Sequence, residues 1–510
     1  MLLNVKTKYG EVQGVPSPSA GVSMFCGVHY AKPPVGDLRW RAPREPDSWS
    51  GILKCDRFKT AAMQTKATMS FYVKEFPIDY SQITISEDCL YLNIWTPASS
   101  TSDRLPVMVY FHGGGDVTGF PQEPEHEGAR LAEKQVIYVN VTYRLNVFGF
   151  LAHPQLTEES GYGASGNYGL LDQVASLKWV RDNIEAFGGD LEKVTIFGQS
   201  AGAGNVHAHC TSPLSKGLFK RAISISGSGV VSLMRASTLR DEERKGLAFQ
   251  EACSCNSLKE LRDLPEAMVL AYMVQSGINS SFCIDDYFLF EDPSETIIKG
   301  RHHHVDIMAG SCANEGAAFG YGYRETVGGF KNAVNRFFPG VEEIAWKLYN
   351  VHSDEEAAKS GFDVMADGAV FGTNYWAKIH NKTGRKPLYV YYFCHKLPDE
   401  EGHPSKEGSF HSGDLWYVHG TLDRSWRAFG EADRRLSDLE MSYFTNFAKC
   451  ADPNGQDLPK WTSYTSESPC SLLLCDDPRM DSMEKNVGAM TALYADSFYG
   501  LTKTCLLGVD

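Results

Sequence analysis

Short runs of β-branched and aromatic residues recur along the chain, and glycine or polar residues close each run. The apolar positions are nearly continuous instead of alternating with polar ones, which is typical of strands buried on both faces of a sheet. We predict such strands at 106–113, 136–144, 193–198, 221–228, 305–311 and 387–393.

A helix is predicted between two of these strands, in the segment 170–189. Apolar residues recur there at intervals of three and four, which places them on one face of a helix. They are Leu171, Val174, Leu177, Val180 and Ile184. Gly188 and Gly189 follow as a stop signal. The order strand, helix, strand predicts an α/β fold, with a mostly parallel sheet and helices on both faces.

Two segments, 231–299 and 321–386, differ from this pattern because they are helical, mixed in polarity and separate the later strands widely. We predict that they are insertions above the sheet that wall a substrate pocket. No linker, repeat or low-complexity tract interrupts the sequence, so we expect one domain over residues 1–510. The run RHHHVD at 301–306 suggests a metal site. However, consecutive side chains of an extended segment point to alternate sides, so a loop entering a strand is the better interpretation.

The composition excludes some classes of function. A net charge of -14, from 63 acidic and 49 basic residues, argues against a nucleic-acid partner. No run approaches the roughly 18 apolar residues of a membrane span, and no apolar leader begins the chain; we expect no membrane span and a cytoplasmic location. The 13 cysteines show no paired spacing, so free thiols are expected. The composition predicts no particular oligomeric state.

The pentapeptide GQSAG, from Gly198 to Gly202, follows a predicted strand. A G-x-S-x-G sequence between a strand and a helix is typical of a sharp turn that holds a nucleophilic serine clear of the sheet. Glycines are needed because the turn brings backbones close together, and the first amides of the next helix point to the same place. We predict that Ser200 is a nucleophile; a Gly-Ser loop without chemistry is the alternative.

Three glycines, Gly113 to Gly115, follow another predicted strand. A serine that attacks a carbonyl builds negative charge on the substrate oxygen, and hydrogen-bond donors must already point there. We predict an oxyanion hole from the backbone N–H groups of Gly114, Gly115 and Ala201. A glycine-rich phosphate loop is the alternative, but the segment lacks the Lys and Ser/Thr that bind nucleotides.

Longer motifs extend the pattern across nearly the whole chain, at 25–40, 86–97, 166–190 and 197–202. In this order they resemble the type B carboxylesterases, the α/β-hydrolase family that includes the cholinesterases and bacterial para-nitrobenzyl esterases. The resemblance implies an α/β-hydrolase fold with helical insertions over the active site, hydrolysis of a small carboxylic ester, and no organic or metal cofactor.

The resemblance also implies a triad in the order serine, acid, histidine. Glu315, in GSCANEG, takes the position of the acid, and His411, in GSFHSGDLWYVHG, takes that of the histidine. Neutral His411 then accepts the Ser200 proton, and Glu315 fixes the imidazole tautomer. Ser226 matches a family serine expected to hydrogen-bond the carboxylate. The competing histidines are His395, His403 and His419.

Four positions depart from the family pattern. Gln199 replaces a glutamate often found before the nucleophile, which weakens the case for a cationic substrate, and Leu191 stands where proline is common. Asp116 replaces an apolar residue after the glycines; it favours a polar or basic acyl group, or it turns outward or caps a loop amide. Cys89 lacks its usual partner, and Cys55 lies a few residues before the position where that partner is expected.

Two other classes of function are compatible with this fold. Family members that lose the nucleophile serve as adhesion or binding proteins, but this chain keeps all three triad residues. Amidase, lactonase or acyl-transfer activity uses the same machinery as ester hydrolysis.

Overall fold

The computed structural model of the chain describes residues 1–66, 69–231, 235–319, 326–361, 363–383, 386, 388–402 and 408–495. Its strands build an 11-stranded sheet, a 3-stranded sheet and a 2-stranded sheet. The strands are β1 (Asn4–Lys6), β2 (Glu11–Gln13), β3 (Val15–Pro16), β4 (Ser23–His29), β5 (Ile52–Lys54), β6 (Tyr91–Thr96), β7 (Leu105–Phe111), β8 (Ile137–Val141), β9 (Gly189–Gln199), β10 (Arg221–Ile225), β11 (Ser237–Thr238), β12 (Cys283–Ile284), β13 (Asp306–Cys312), β14 (Leu388–Phe393), β15 (Ser471–Leu474) and β16 (Arg479–Asp481).

The large sheet has the strand order β16-β15-β14-β13-β10-β9-β7-β8-β6-β4-β3. Its strands from β15 to β8 pair in parallel. The edge strands are antiparallel, β16 on one side and β6, β4 and β3 on the other. All six strands predicted from the sequence are confirmed, as β7, β8, β9, β10, β13 and β14, and the sheet is mostly parallel as predicted.

Successive residues of the central strands enter opposite sides of the sheet. In β7, Val107 and Val109 pack into the core on one face, whereas Met108 and Tyr110 pack into the core on the other. Both faces of the strand are therefore buried, which is why the runs are continuous in the sequence.

Helices cover both faces. They are α1 (Ser70–Glu75), α2 (Ala129–Glu133), α3 (Asn146–Phe150), α4 (Pro154–Glu159), α5 (Tyr168–Asn183), α6 (Ala201–Thr211), α7 (Leu239–Ala252), α8 (Leu258–Asp263), α9 (Glu266–Ser276), α10 (Pro293–Ile298), α11 (Val327–Phe337), α12 (Glu342–Tyr349), α13 (Asp354–Ser360), α14 (Val364–Lys382), α15 (Leu415–Val418), α16 (Glu431–Cys450) and α17 (Val487–Tyr494). Short 3-10 helices lie at Gly36–Leu38, Tyr80–Gln82, Pro124–His126, Ile184–Phe187, Pro213–Ser215, Ala317–Phe319 and Leu422–Arg424.

The predicted helix is confirmed as α5, and the 3-10 turn after it ends at Gly188, whose φ of 84° is left-handed. However, α5 is buried over most of its surface and not along one face alone. Helices α5, α6 and α14 contribute to the core on one side of the sheet, and α2, α15 and α16 to the core on the other.

The two predicted insertions are helical in their described parts: α7 to α10 lie in 231–299, and α11 to α14 in 321–386. Helix α14 differs from the expectation. It packs against β13 and β14 and is buried along nearly its whole length, because it is the crossover between these two parallel strands. It therefore belongs to a helical layer of the sheet. That the other helices wall a pocket stays a prediction.

Within the described residues, no helix is both long enough and apolar enough to cross a lipid bilayer. Cys55 and Cys89 are both buried free thiols.

Candidate active site

The predicted nucleophile lies between a strand and a helix. Strand β9 ends at Gln199 and α6 begins at Ala201, so that Ser200 is the single residue between them. Its φ of 57° and ψ of -123° are strained for a residue with a side chain. The backbone holds this conformation, because the Ser200 N–H donates to the Ile225 carbonyl at 3.0 Å and the Gly204 N–H donates to the Ser200 carbonyl at 3.0 Å.

The two glycines of the pentapeptide lie where backbones touch. A Cβ atom on Gly198 would lie 2.4 Å from the Gly202 carbonyl oxygen, and a Cβ on Gly202 would lie 2.0 Å from that of Phe111. Both distances are far below van der Waals contact. The motif therefore permits α6 to start directly beside β7 and β9, which fixes where the serine stands.

The glycine loop after β7 lies against Ser200, the predicted nucleophile. Gly114 and Gly115 have φ values of 98° and 67°, and a Cβ on Gly113 would lie 3.1 Å from the Cβ of Ser200. The Gly114 carbonyl accepts the N–H groups of the two residues after Asp116. Among the described hydrogen bonds, none uses the N–H of Gly114, Gly115 or Ala201, and the first amides of a helix have no partner within it.

Asp116 turns inward, so the outward turn considered from the sequence is wrong, whereas its effect on the acyl group stays a prediction. It is 1% exposed, and its Oδ1 accepts hydrogen bonds from Asn205 Nδ2 at 3.0 Å and from the Tyr143 hydroxyl at 3.4 Å. Its Oδ2 has no partner among the described residues. Burial raises the pKa of this carboxyl to about 6, and the two hydrogen bonds offset part of that shift. The side chain thus ties the glycine loop to α6.

The structure brings Glu315 and His411 into contact. Glu315 follows β13, and its Oε1 accepts the Cys312 backbone N–H at 2.8 Å. Its Oε2 is hydrogen-bonded by His411 Nδ1, and both side chains are 2% exposed. The two loops are joined by backbone pairing, since the Asn314 N–H donates to the Ser409 carbonyl at 2.9 Å.

The second ring nitrogen of His411, Nε2, faces Gln199, the residue just before Ser200. His411 Nε2 lies 3.2 Å from Gln199 Nε2, and the same amide nitrogen donates to Ser412 Oγ at 2.8 Å. The described residues include no hydrogen bond between the Ser200 hydroxyl and His411. In a neutral imidazole whose Nδ1 proton is directed at Glu315, Nε2 carries a lone pair that accepts a hydrogen bond from the Gln199 amide. Such contacts often align only when substrate is bound.

Comparison with known proteins defines the family. The profile of the carboxylesterase family matches residues 2–491. The chain belongs to the carboxylesterase family. It is therefore a carboxylic ester hydrolase with the α/β-hydrolase fold, as the sequence predicted.

Relatives and solved structures match nearly the full length. The para-nitrobenzyl esterase of Bacillus subtilis (strain 168) is 31% identical over 511 residues, covering 94% of this chain and 98% of the relative. The fumonisin B1 esterase of Sphingopyxis macrogoltabida is 33% identical over 451 residues, covering 86% and 79%. A solved PNB esterase structure aligns with a TM-score of 0.82 at 29% identity, covering 96% of this chain and 99% of that one.

Two competing histidines of this esterase lie in other environments. His395 hydrogen-bonds Asp433 at 2.8 Å and Asp476 at 2.6 Å. His419 Nδ1 bonds the Leu415 carbonyl at 3.3 Å on its own helix. His403 lies outside the described residues.

The bond expected between Ser226 and Glu315 is not found among the described residues of this esterase. Ser226 Oγ donates instead to Cys312 Sγ at 3.9 Å, and the Cys312 backbone N–H donates to the carboxylate. Ser226 has a φ of 55° and follows β10, and its N–H donates to the Gly310 carbonyl at 2.8 Å. Cys312, the last residue of β13, thus contacts both side chains, and a direct bond between Ser226 and Glu315 stays a prediction.

Sequence reasoning missed several side chains that surround the imidazole. The Tyr72 hydroxyl donates to the His411 carbonyl at 3.0 Å, and the Phe319 ring lies 5.2 Å from the imidazole. Asp414 is fully buried, and burial together with the Glu315 charge raises its pKa to about 7. Asp414 was visible in the sequence as part of the histidine motif, whereas Tyr72 belongs to α1 and carries no motif.

Proposed function

We propose that this esterase cleaves its substrate through an acyl-enzyme formed on Ser200, with His411 as the base and Glu315 as the group that orients it. The main support is geometric. The serine stands at a strained turn, the hydrogen-bonded pair of Glu315 and His411 lies beside it, and the imidazole lone pair points to the residue adjoining the serine.

The first step requires a short rearrangement. His411 Nε2 has to exchange its contact with the Gln199 amide for one with the Ser200 hydroxyl. The serine oxygen then bonds the ester carbonyl carbon while its proton passes to Nε2, and Glu315 stabilises the imidazolium. The proton next passes to the departing alkoxide, which leaves as the alcohol. Water repeats the cycle on the acyl-enzyme and releases the acid.

The N–H groups of Gly114, Gly115 and Ala201 are proposed to bind the oxyanion. The glycine loop lies against the serine, and these amides make no other described hydrogen bond. Removing one donor of such a site costs roughly 3–4 kcal/mol of barrier. The hydrogen bond from Asn205 to Asp116 joins this loop to α6.

An apolar ester group is the substrate class we propose. The imidazole is flanked by Phe319, which lies 5.8 Å from the ring of Tyr72. Next to these, Phe71 packs on Phe410 at 4.8 Å. Aromatic side chains of this kind favour an apolar partner. The relative named para-nitrobenzyl esterase suggests para-nitrobenzyl and para-nitrophenyl esters as assay substrates. A cytoplasmic location is also proposed, in line with the free thiols at the described cysteines.

The test is covalent labelling combined with one substitution. An organophosphate is expected to label the protein once per chain, and peptide mapping is expected to find the label on Ser200. Ser200→Ala is expected to lose the label and at least about 10⁴-fold in kcat, whereas Ser102→Ala, at an exposed position, retains both. A label that survives in Ser200→Ala contradicts the proposal. An anilide series run beside the esters separates amidase from esterase activity.

A further inference from the structure

Two cysteines lie side by side at the ends of neighbouring strands of the large sheet. Cys394 directly follows β14 and Cys475 directly follows β15, and these parallel strands pair with Phe393 opposite Leu474. Backbone contact continues past the last pair, because the Cys394 N–H donates to the Leu474 carbonyl at 2.9 Å. The next residue of each chain segment is thus a cysteine, and the two side chains are in hydrogen-bond contact.

This placement suits a covalent bond between the two sulfur atoms. Neighbouring strands of a sheet lie about 4.8 Å apart, and the Cα atoms of a disulfide lie about 4.4–6.8 Å apart. Residues at matching positions of two parallel strands direct their side chains to the same face of the sheet. The strand pairing therefore holds Cys394 and Cys475 within the range that a disulfide needs.

Both thiols are within reach of a small reagent, and one of them has a cationic neighbour. They are half-buried, whereas Cys26 and Cys55, which are also joined by a backbone hydrogen bond, are fully buried. Arg479 Nη1 donates a hydrogen bond to Cys475 Sγ at 3.3 Å, and a guanidinium in this position stabilises the thiolate, the nucleophilic form of cysteine. Burial, and after it the neighbouring thiol, raise the pKa of the Cys394 thiol to about 12. Cys475 is therefore the thiol that reacts first.

We propose that Cys394 and Cys475 form a reversible, stabilising disulfide when the enzyme meets a small disulfide such as oxidised glutathione. The Cys475 thiolate attacks one sulfur of the glutathione disulfide, and one glutathione leaves as its thiolate. Cys394 then attacks Cys475 Sγ in the mixed disulfide, and the second glutathione leaves. The protons that the two cysteines lose are taken up by the two departing thiolates. The protein dithiol is thus oxidised, and one glutathione disulfide is reduced to two glutathione molecules.

The disulfide closes a loop that carries the proposed catalytic histidine. The segment between the two cysteines, 395–474, contains His411. The Ser409 hydroxyl, close to His411 in the chain, donates at 2.7 Å to the carbonyl of His395, the residue after Cys394. A cross-link that closes a loop lowers the entropy of the unfolded chain, so the disulfide is expected to raise Tm. It takes no part in ester cleavage, and the reduced enzyme is expected to be active.

The test uses the full-length protein, reduced with dithiothreitol, freed from the reductant and incubated with oxidised glutathione without denaturant. Peptide mapping by mass spectrometry, without reductant, is expected to find Cys394 joined to Cys475. The oxidised enzyme is expected to unfold about 2–5 °C above the reduced enzyme, because the bond closes a loop of roughly 80 residues. Fresh dithiothreitol is expected to reverse both changes.

Two variants complete the test. Cys394→Ser leaves Cys475 without a resolving thiol, so a glutathionyl group is expected to remain on Cys475 and Tm is expected not to rise. Cys450→Ser, which removes an exposed thiol elsewhere, is expected to form the cross-link as wild type does. The proposal is overturned if both cysteines of wild type stay reduced, if the cross-link joins Cys26 and Cys55 instead, or if oxidised and reduced wild type have equal Tm. These wild-type measurements decide it even if Cys394→Ser does not fold.

Discussion

The burial of the Asp116 carboxyl predicts how the free energy of unfolding depends on pH. The carboxyl is 1% exposed, and burial raises its pKa from 3.8 to about 6. The folded protein binds this proton more tightly than the unfolded chain does. The contribution of protonated Asp116 to the free energy of unfolding is therefore fully present below about pH 4. It is lost as pH rises through about 6. A shift of about two units corresponds to about 3 kcal/mol of unfolding free energy over the whole range.

Asp116→Asn is the substitution that isolates this charge. Asparagine keeps the Oδ1 acceptor for Asn205 and Tyr143, and it tolerates the residue's φ of 57°, but it does not ionise. The variant is therefore expected to gain stability over wild type as pH rises. About 1.4 kcal/mol of the gain falls between pH 5 and pH 8, from the two pKa values above.

Urea denaturation at pH 5 and pH 8 measures the difference. Asp457→Asn is the matched control, because Asp457 also has a positive φ, of 63°, but is exposed; its effect is expected to be the same at both pH values. If Asp116→Asn changes the free energy of unfolding equally at pH 5 and pH 8, the ionised Asp116 is not penalised by burial. A variant that is less stable at pH 8 than at pH 5, relative to wild type, would show that the charge is stabilised.

Three further predictions concern the active site. Gly202→Ala places a Cβ 2.0 Å from the Phe111 carbonyl oxygen, so Tm is expected to fall with a loss of about 1–3 kcal/mol; an unchanged Tm contradicts this. Glu315→Gln removes the negative charge beside His411 Nδ1 and lets a side-chain amide donate to that nitrogen, which favours the wrong imidazole tautomer; kcat is expected to fall about 10³–10⁴-fold, with circular dichroism confirming the fold. Gln199→Ala removes the amide that contacts His411 Nε2; because the serine hydroxyl then has no competitor for this nitrogen, the rate of organophosphate labelling is expected to rise about two- to tenfold, and an unchanged rate contradicts the competition.

The central strands were predictable because each is buried on both faces, so that almost every position is apolar. The strands towards the two edges of the sheet were not predicted. β15, next to the edge strand β16, has only four residues, Ser471–Leu474, and β4 is antiparallel, with Gly27 interrupting its apolar run. The identity of α14 was also missed, because a crossover helix that is buried nearly throughout has no polar face to distinguish it from an insertion.

The sharp turn at Ser200 was predictable for a local reason. Two glycines that must lie within contact of other backbones, at Gly198 and Gly202, encode the turn directly. The partners of Asp116, Ser226 and Gln199 are different. Each depends on a side chain direction and on a residue distant in sequence, such as the 212 positions between Gln199 and His411. Their residue types were visible, but their contacts were decided by packing.

The candidate active site has two parts that are held in different ways. Ser200 is fixed by regular structure on both sides, because β9 and α6 meet at it and the Ile225 carbonyl holds its N–H. His411 stands on a loop and is held by side chains, Glu315 at Nδ1 and Tyr72 at the carbonyl. The Gln199 amide joins the two parts through its contact with His411 Nε2. A glutamate at this position would set a charge beside the imidazole, whereas glutamine sets a neutral donor that competes with the serine hydroxyl for one lone pair. The serine hydroxyl must therefore gain its advantage over the Gln199 amide, as the partner of His411 Nε2, from the substrate. Attack by the serine develops an oxyanion, and stabilisation of that oxyanion favours the serine contact and not the glutamine contact.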